Sequence, residues 1–285
     1  MMTTPDVQWP HALRRRKLLS AVALLTPLSH ATAQPSGASA PHAGETAPKQ
    51  PKGPVATVHP SLHLVGDSTM SDKPLGTGNP ERGWGQALRA RMKDPRRLLN
   101  HAVNGRSGRR FRAEGRWDHL LRQLAPGDHV LIQFGHNDQK VEDPSRYAEA
   151  DTDYRQQLRR FVAEARAAAA EVLLATSVVR RKFDTAGRIL PTLGEYPRVT
   201  REVAAELGVP LLDLNRSTQH WLEHLGPEAS KAMFMWLPPA TYPTHPQGLQ
   251  DDTHFVAAGA QAVADMAIQQ IQQLEHPLAA WFTSP

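Results

Sequence analysis

Five short apolar runs alternate with longer helical patterns between residues 61 and 275, and this alternation restricts the fold more than any other feature. It is typical of βαβ units, in which crossover helices join parallel strands. The continuous apolar character of the runs suits strands that are covered on both faces. The predicted strands are 61–66, 98–103, 129–134, 172–177 and 209–214. The predicted helices are 84–93, 116–124, 152–170, 195–207 and 256–275.

The N-terminal region has the organisation of an export signal. The basic stretch Arg14–Lys17 precedes an apolar run over 18–28 and the small residues Ala31–Ala33. This order is typical of a secretory signal peptide, which we expect to comprise residues 1–33. A twin-arginine signal and a general-secretion signal are the two alternatives. The predicted location is therefore periplasmic or extracellular.

A linker and one folded domain are expected to follow the signal. Residues 34–57 are rich in Pro, Ala, Gly and Ser, so they cannot bury enough apolar surface to fold and are predicted to form a flexible linker. The remaining segment, 58–285, is long enough for a single domain with a substantial core. We predict no stable membrane span once the signal has been cleaved.

Charge and cysteine content limit the classes of function. The net charge is +5, of which residues 1–33 contribute +3, leaving +2 on the rest of the chain. A nucleic-acid partner is therefore not predicted, because such partners require concentrated basic charge. The chain has no cysteine, so disulfides, Cys-based zinc sites and thiol nucleophiles are excluded.

Chemically reactive residues follow three of the predicted strands and precede the last predicted helix. Ser68 follows the first strand, Gly105 the second and Asn137 the third, while Asp251 and His254 precede the helix. The carboxyl ends of neighbouring parallel strands meet at one edge of a sheet, where open α/β folds bind ligands. Each residue taken singly also suits an ordinary turn or a helix cap. Their shared placement favours a single site.

These residue types predict nucleophilic acyl transfer. The Ser68 hydroxyl needs a base at neutral pH, and His254 is the candidate. Asp251 can reach the other ring nitrogen across one turn of chain, whereas the side chain of Asp252 is expected to point elsewhere. A developing oxyanion also needs hydrogen-bond donors. The predicted donors are the backbone N–H groups of Ser68 and Gly105 and the side-chain amide of Asn137.

The sequence blocks that contain these residues resemble those of the SGNH (GDSL-like) hydrolase superfamily, and more narrowly the rhamnogalacturonan acetylesterase family. The resemblance covers about 61–275 and implies a flavodoxin-like three-layer α/β/α sandwich with a five-stranded parallel sheet. It also implies that Ser68, Asp251 and His254 form the catalytic triad, that Gly105 and Asn137 serve the oxyanion hole, and that no cofactor or metal takes part. The blocks are Gly66-Asp67-Ser68-Thr69-Met70, Gly83-Trp84-Gly85, Asn104-Gly105-Arg106-Ser107, Phe134-Gly135-His136-Asn137-Asp138 and Asp251-Asp252-Thr253-His254-Phe255.

Cationic and aromatic residues near the predicted site indicate an acidic sugar. Arg106 and Arg109 follow the second strand and Arg180 follows the fourth, where guanidinium groups can bind carboxylates in bidentate fashion. The alternative is a solvated charged face. We therefore expect an acetylated acidic polysaccharide or oligosaccharide as substrate. The candidate sugar-stacking residues are Trp84, for which core packing is the alternative, Trp236 and Tyr242.

The region 221–250 contains five prolines and is predicted to be a long irregular loop directly before Asp251. The functional hypothesis is an exported serine esterase that removes O-acetyl groups from a rhamnogalacturonan-like polysaccharide. One alternative is an acetylesterase of another glycan or of small acyl esters. The other is a carbohydrate-binding protein that has lost catalysis, because fold does not determine function. The oligomeric state does not follow from the sequence.

Overall fold

The computed structural model describes residues 59–76 and 78–283. The predicted signal peptide, 1–33, and linker, 34–57, lie outside the described residues. In chain order the strands are β1 (Leu62–Gly66), β2 (Glu81–Arg82), β3 (Leu98–Asn100), β4 (His129–Gln133), β5 (Glu171–Ala175), β6 (Leu211–Leu212), β7 (Phe234–Leu237) and β8 (Leu249–Val256). The α-helices are α1 (Trp84–Ala90), α2 (Gly108–Ala113), α3 (Arg116–Leu121), α4 (Arg155–Ala167), α5 (Tyr196–Leu207), α6 (Leu214–Ala229) and α7 (Ala257–Gln273).

Five of the strands form a parallel sheet in the order β3-β1-β4-β5-β6. This is the flavodoxin-like order, in which the first strand lies between the second and third strands of the sheet. Gly66, the last residue of β1, pairs with Gln133 at the end of β4. The backbone N–H of Val103 donates to Gly66 O at 3.0 Å. The chain segments that follow β1, β3 and β4 therefore begin at one edge of the sheet.

Helices cover both faces of this sheet because successive strand side chains point in opposite directions. Leu131 and Leu173 belong to an apolar cluster that includes residues of α1, α6 and α7. Their neighbours Ile132 and Leu174 belong to a second cluster with residues of α2, α3, α4 and α5. The predicted three-layer α/β/α architecture is confirmed. None of the helices that the structure describes has the length and apolarity needed to cross a membrane.

The prediction of a long irregular loop over 221–250 is wrong. Helix α6 continues to Ala229, with an interruption at Gly226, where φ is 75° and ψ is 173°. Strand β7 follows, so only the segment 238–248 lies outside regular elements. Glycine tolerates the positive φ that lets the chain turn here, and Pro227 can then occupy the first position of the next helical segment.

A second, three-stranded sheet was not predicted at all. Its order is β2-β8-β7, and β8 contains the residues expected just before the last helix. Phe255 pairs with Phe234 while Asp251 pairs with Met235, so 252–254 form a bulge between consecutive pairs. Bulges of this kind re-aim side chains next to functional sites. The sequence does not indicate this strand, because its residues are mostly polar and lack an alternating apolar pattern.

Smaller differences concern the ends of elements. The predicted strand 98–103 ends at Asn100 and 209–214 is reduced to two residues. The predicted helix 152–170 begins as a π-helical turn, Ala150–Tyr154, before α4. Helix α2 was missed because its six residues, three of them arginine, are too short for a periodic pattern.

The Gly-Trp-Gly block packs against the turn that follows β1. A Cβ atom at Gly83 would lie 2.1 Å from the backbone oxygen of Ser71, and one at Gly85 would lie 2.6 Å from that of Met70. The backbone N–H of Trp84 also donates to Thr69 O at 2.9 Å. The start of α1 therefore supports the turn directly, and only glycine permits such a close approach.

We predict that Gly83→Ala lowers the free energy of unfolding by about 1–3 kcal/mol, the usual cost of overpacking, because the added Cβ atom would meet a rigid backbone contact. Urea unfolding of the purified protein measures this. Gly76→Ala is the control, since a Cβ atom there would have no described neighbour within 4 Å. Equal destabilisation by the two variants would contradict the contact.

Candidate active site

The turn after β1, residues 66–71, is called here the Ser68 turn. Its backbone is held by Asp67, whose carbonyl oxygen accepts the N–H groups of Met70 at 3.2 Å and Ser71 at 3.1 Å. The buried Asp67 carboxylate also accepts the N–H of Thr69 at 2.9 Å and its hydroxyl at 2.8 Å. Such local hydrogen bonds are the usual way in which Asp stabilises a turn. Ser68 is left partly exposed at the edge of the sheet.

Ser68, His254 and Asp251 form a continuous hydrogen-bonded chain. The Ser68 hydroxyl donates to His254 Nε2 at 2.8 Å. The ring N–H at Nδ1 donates to Asp251 Oδ2 at 2.7 Å. The other oxygen of Asp251 accepts the N–H of Thr253 at 2.6 Å and that of His254 at 3.1 Å. Asp251 thus holds both the ring and the backbone of the bulge in one orientation, which keeps the Nε2 lone pair directed at Ser68.

The electrostatic surroundings favour a basic His254. Burial lowers the pKa of His254, but the hydrogen bond and charge of Asp251 outweigh it, so the pKa lies above its ordinary value. Burial also raises the pKa of Asp251, and the His254 contact together with two backbone N–H donors brings it below the usual range. Asp251 is therefore a carboxylate at neutral pH, as an orienting partner of a general base must be.

The backbone N–H groups of Ser68 and Gly105 have no acceptor in the described part of the chain. Gly105 lies in the turn 103–106 (the Gly105 turn) and has a φ of 72°. In the turn after β4, residues 134–138 (the Asn137 turn), the side-chain amide of Asn137 donates to Arg106 O at 3.1 Å. An amide carries two N–H bonds, so one remains for another acceptor. These donors are of the kind that binds an oxyanion.

Asp138 joins the Asn137 turn to its neighbours. Its buried carboxylate accepts the N–H of Gly108 at the start of α2 and the N–H of Gly135, both at 2.9 Å. Burial raises the pKa of Asp138 to about 7. The backbone oxygen of Asp138 also accepts the hydroxyl of Tyr196 at 3.0 Å. These contacts limit the movement of Asn137.

Comparison with known proteins decides the family. Residues 64–262 match the GDSL-like Lipase/Acylhydrolase family. The chain belongs to this family. It is 41% identical over 217 residues to the rhamnogalacturonan acetylesterase RhgT of Bacillus subtilis (strain 168), an alignment that covers 76% of this chain and 91% of the relative. The resemblance stated from the sequence blocks is thereby confirmed, and the chain is a carboxylic ester hydrolase.

Solved structures agree with this assignment. The crystal structure of YxiM from Bacillus subtilis is similar with a TM-score of 0.64 and 26% identity, covering 76% of this chain and 57% of that one. The acetylxylan esterase Axe2 from Geobacillus stearothermophilus has a TM-score of 0.52 and 21% identity, covering 74% of this chain and 94% of that one. At that identity the similarity to Axe2 shows a shared fold.

Two buried polar contacts in this hydrolase were not expected from the sequence. His136 Nδ1 lies 3.2 Å from Asp67 Oδ2, and both side chains are buried. The buried Lys73 ammonium lies 2.7 Å from Glu81 and also donates to Asn104. His136 lies within the third sequence block, so its position offered a clue. No feature of the sequence marks Lys73, because burial of a loop lysine depends on tertiary contacts.

Most of the arginines after β3 are paired within the protein. Arg106 contacts Glu114 at 3.0 Å, and Arg109 pairs with Asp153. Burial alone would raise the pKa of Glu114, but hydrogen bonds from three arginines lower it to about 2. These pairs favour a structural role for Arg106 and Arg109 over binding of a sugar carboxylate.

Arg180 differs from these arginines. Its guanidinium donates to the backbone oxygens of Thr192 at 3.1 Å and His136 at 3.4 Å. Within the described ranges it has no carboxylate at salt-bridge distance. The charges of Asp67 and Asp251 nevertheless act to raise its pKa, against the lowering effect of burial. Arg180 is therefore held close to the site by neutral acceptors.

The three aromatic candidates occupy different environments. The sugar-stacking prediction for Trp84 is wrong, because its ring is 0% exposed and donates to Gln133 at 2.9 Å. Trp236 donates to Asp252 at 2.8 Å and is covered by the guanidinium of Arg181 at 4.5 Å and the ammonium of Lys231 at 4.7 Å. Its ring is therefore not an open platform. Tyr242 lies in the segment 238–248 and lines a surface groove with Leu75, Pro80 and Pro243.

One group of potential metal ligands lies at the opposite edge of the sheet. His129, Glu171 and His276 offer three ligand atoms within 4.8 Å of one another. However, His276 Nδ1 accepts the N–H of Leu278 at 3.2 Å, which leaves the proton of the neutral ring on Nε2. That atom faces Glu171 at 3.7 Å. The nitrogen that faces this group of ligands therefore carries the proton when the ring is neutral.

We predict that kcat/KM falls on the acid side with a midpoint above about 6.5, the ordinary pKa of histidine. The reason is that His254 must be neutral to accept a proton, and Asp251 raises its pKa. Asp251→Asn removes the carboxylate that raises the pKa of His254, so the acid midpoint should move down. In the same variant kcat should fall by on the order of 10⁴. A pH–rate profile with an activated acetate ester measures both effects.

Asp252→Asn is the matched control for this experiment. Asp252 contacts Arg181 at 2.8 Å and does not contact His254. Its substitution should leave the midpoint in place. An unchanged midpoint in Asp251→Asn, or the same shift in both variants, would contradict the role of Asp251.

Proposed function

We propose that the chain removes O-acetyl groups from a pectic polysaccharide of the rhamnogalacturonan type through an acyl-enzyme on Ser68. The observation that carries the proposal is the chain of hydrogen bonds from Ser68 through His254 to Asp251, at 2.8 and 2.7 Å. The similarity to the rhamnogalacturonan acetylesterase RhgT, 41% identical, supports the acetylated polysaccharide as substrate.

The geometry supports a two-step reaction. Ser68 Oγ attacks the acetyl carbon while its proton passes to His254 Nε2. The carbonyl electrons move to the oxygen, where the N–H groups of Ser68 and Gly105 and the free N–H of Asn137 stabilise the charge. Collapse of this intermediate breaks the bond to the sugar oxygen, which takes the proton from His254. Water then attacks the acetyl-serine and gives a proton to His254. The bond between the carbonyl carbon and Ser68 Oγ breaks, Oγ takes the proton from His254, and acetate leaves.

Arg180 is the candidate for recognition of the acidic sugar. It is close enough to Asp67 and Asp251 to interact with their charges, and among the described residues it is not neutralised by a carboxylate at contact distance. A half-buried guanidinium of this kind favours a carboxylate ligand, because the low local dielectric strengthens the pair. A uronic acid next to the acetylated sugar would supply that carboxylate.

Export is also part of the proposal. It is supported by the sequence of residues 1–33, with a basic stretch, an apolar run and a small-residue cleavage site. Pectic polysaccharides are too large to cross a membrane freely, so a periplasmic or extracellular enzyme suits such a substrate.

Ser68→Ala tests the reaction itself. The variant should retain the fold and lose kcat by on the order of 10⁶, because nothing else in the site can form the acyl intermediate. Acetate release is measured from acetylated rhamnogalacturonan, acetylated xylan and 4-nitrophenyl acetate. Faster release from the pectic substrate is expected. A preference for xylan would replace the pectic assignment, and normal turnover by folded Ser68→Ala would refute the mechanism.

Arg180→Gln tests the acidic sugar. We predict that kcat/KM on acetylated rhamnogalacturonan falls about 10- to 100-fold more than on acetylated xylan, since one charge-assisted contact contributes about 1.5–3 kcal/mol. Lys182→Gln is a nearby control, because Lys182 is already paired with Asp252. An equal loss on both polysaccharides would show that Arg180 only supports the loop that it contacts.

A further inference from the structure

We propose that Lys73 is a positioning residue of this site, which holds the Gly105 turn through the side chain of Asn104 and, together with Glu81, sets the charge around His254. The inference rests on the proposed roles of Gly105 as oxyanion donor and His254 as base. Lys73 lies on the segment that leads away from the Ser68 turn, and Glu81 lies on β2 of the small sheet.

The ammonium of Lys73 has a defined place inside the protein. The residue is only 4% exposed, and its Nζ contacts Glu81 Oε1 at 2.7 Å and Asn104 Oδ1. Its backbone is fixed as well, because Gln86 accepts the N–H of Lys73 at 3.2 Å and donates to its carbonyl at 3.0 Å. A buried charge must be paired and hydrogen-bonded in this way to be tolerated.

Asn104 connects this ammonium to the oxyanion donor. Its side-chain oxygen accepts hydrogen bonds from Lys73 and from Ser71 Oγ, the latter at 2.6 Å. Asn104 is the residue directly before Gly105, whose φ of 72° is the left-handed conformation that glycine favours. Two donors on the Asn104 side-chain oxygen therefore restrain the turn that directs the Gly105 N–H.

The same contacts join the two turns that the reaction uses. Ser71 closes the Ser68 turn through its N–H to Asp67 O at 3.1 Å, and its hydroxyl reaches Asn104. The hydrogen bond between Ser71 and Asn104 thus connects the turn that carries the Ser68 N–H to the turn that carries the Gly105 N–H. Because an oxyanion site loses much of its effect with small displacements, such a link should matter for kcat.

Lys73 and Glu81 also act in opposite directions on the base. The charged groups that face His254 are Asp251 on β8, Glu81 on β2 and Lys73 after β1. Asp251 and Glu81 raise the pKa of His254, whereas Lys73 lowers it. Glu81 is brought to this place by its pairing with Val256, at the end of β8. Of these groups only Lys73 opposes the effect of the Asp251 carboxylate, while Glu81 adds to it.

This arrangement predicts opposite effects for Lys73→Met and Glu81→Gln. Loss of the cation should move the acid midpoint of kcat/KM up, and loss of the anion should move it down. Lys73→Met should also lower kcat about 10- to 100-fold with little change in KM, because the Gly105 contact forms in the transition state. Asn104→Ala should reproduce the loss of kcat with a smaller shift of the midpoint.

The titration of the His254 ring, followed by NMR in the same variants, gives the two shifts without any substrate. Lys93→Met is the control, since Lys93 contacts the backbone oxygen of Ala280 in a different part of the fold. If Lys73→Met does not fold, Glu81→Gln and Asn104→Ala still test the charge and the positioning separately.

Midpoints that do not move, or move in the same direction, together with kcat values equal to that of Lys93→Met, would overturn the inference while leaving the proposed function intact. A wild-type protein that releases no acetate from any of the three esters would instead overturn the proposed function. In that case the NMR shifts of His254 would still decide whether Lys73 and Glu81 act on the ring.

Discussion

The buried carboxylate of Asp67 is the contact on which the arrangement of the site depends. It accepts hydrogen bonds from the N–H and hydroxyl of Thr69, and His136 Nδ1 lies 3.2 Å from its other oxygen. The turn after β1 is thereby tied to the turn after β4. Burial raises the pKa of Asp67, but the His136 charge and the Thr69 donors outweigh this and lower it, so the carboxylate remains ionised. This contact therefore links the segment that carries Ser68 to the segment that carries Asn137.

The reactive groups around this contact lie on separate segments, and hydrogen bonds join these segments in pairs. Asp138 joins the Asn137 turn to α2, Ser71 and Lys73 reach the Gly105 turn through Asn104, and Asp251 closes the bulge of β8. Hydrogen bonds between buried polar groups are strong in the low local dielectric, so they hold the segments in one geometry. Preorganisation of this kind is what electrostatic stabilisation of a transition state requires.

Much of this organisation could be predicted because it depends on local patterns. Apolar runs such as Leu62–Val65 and Val130–Ile132 identify strands of a covered sheet, and their order along the chain is enough to place Ser68, Gly105 and Asn137 at one edge. The bulged strand β8 could not be predicted, because Gln250–His254 is polar and lacks an alternating apolar pattern. Trp84 was ambiguous for a similar reason, since a tryptophan in a short motif can face either sugar or core.

The sequence by itself determined the fold class, the family and the candidate residues of the site, because these follow from the period of apolar residues and from short blocks of chemically required residue types. Only the tertiary structure decided how those residues are held. It showed that Arg106 and Arg109 are paired within the protein while Arg180 has no carboxylate partner among the described residues, and that Lys73 is buried against Glu81 and Asn104. Ion pairing and burial depend on which distant segments come together, and no local pattern records that.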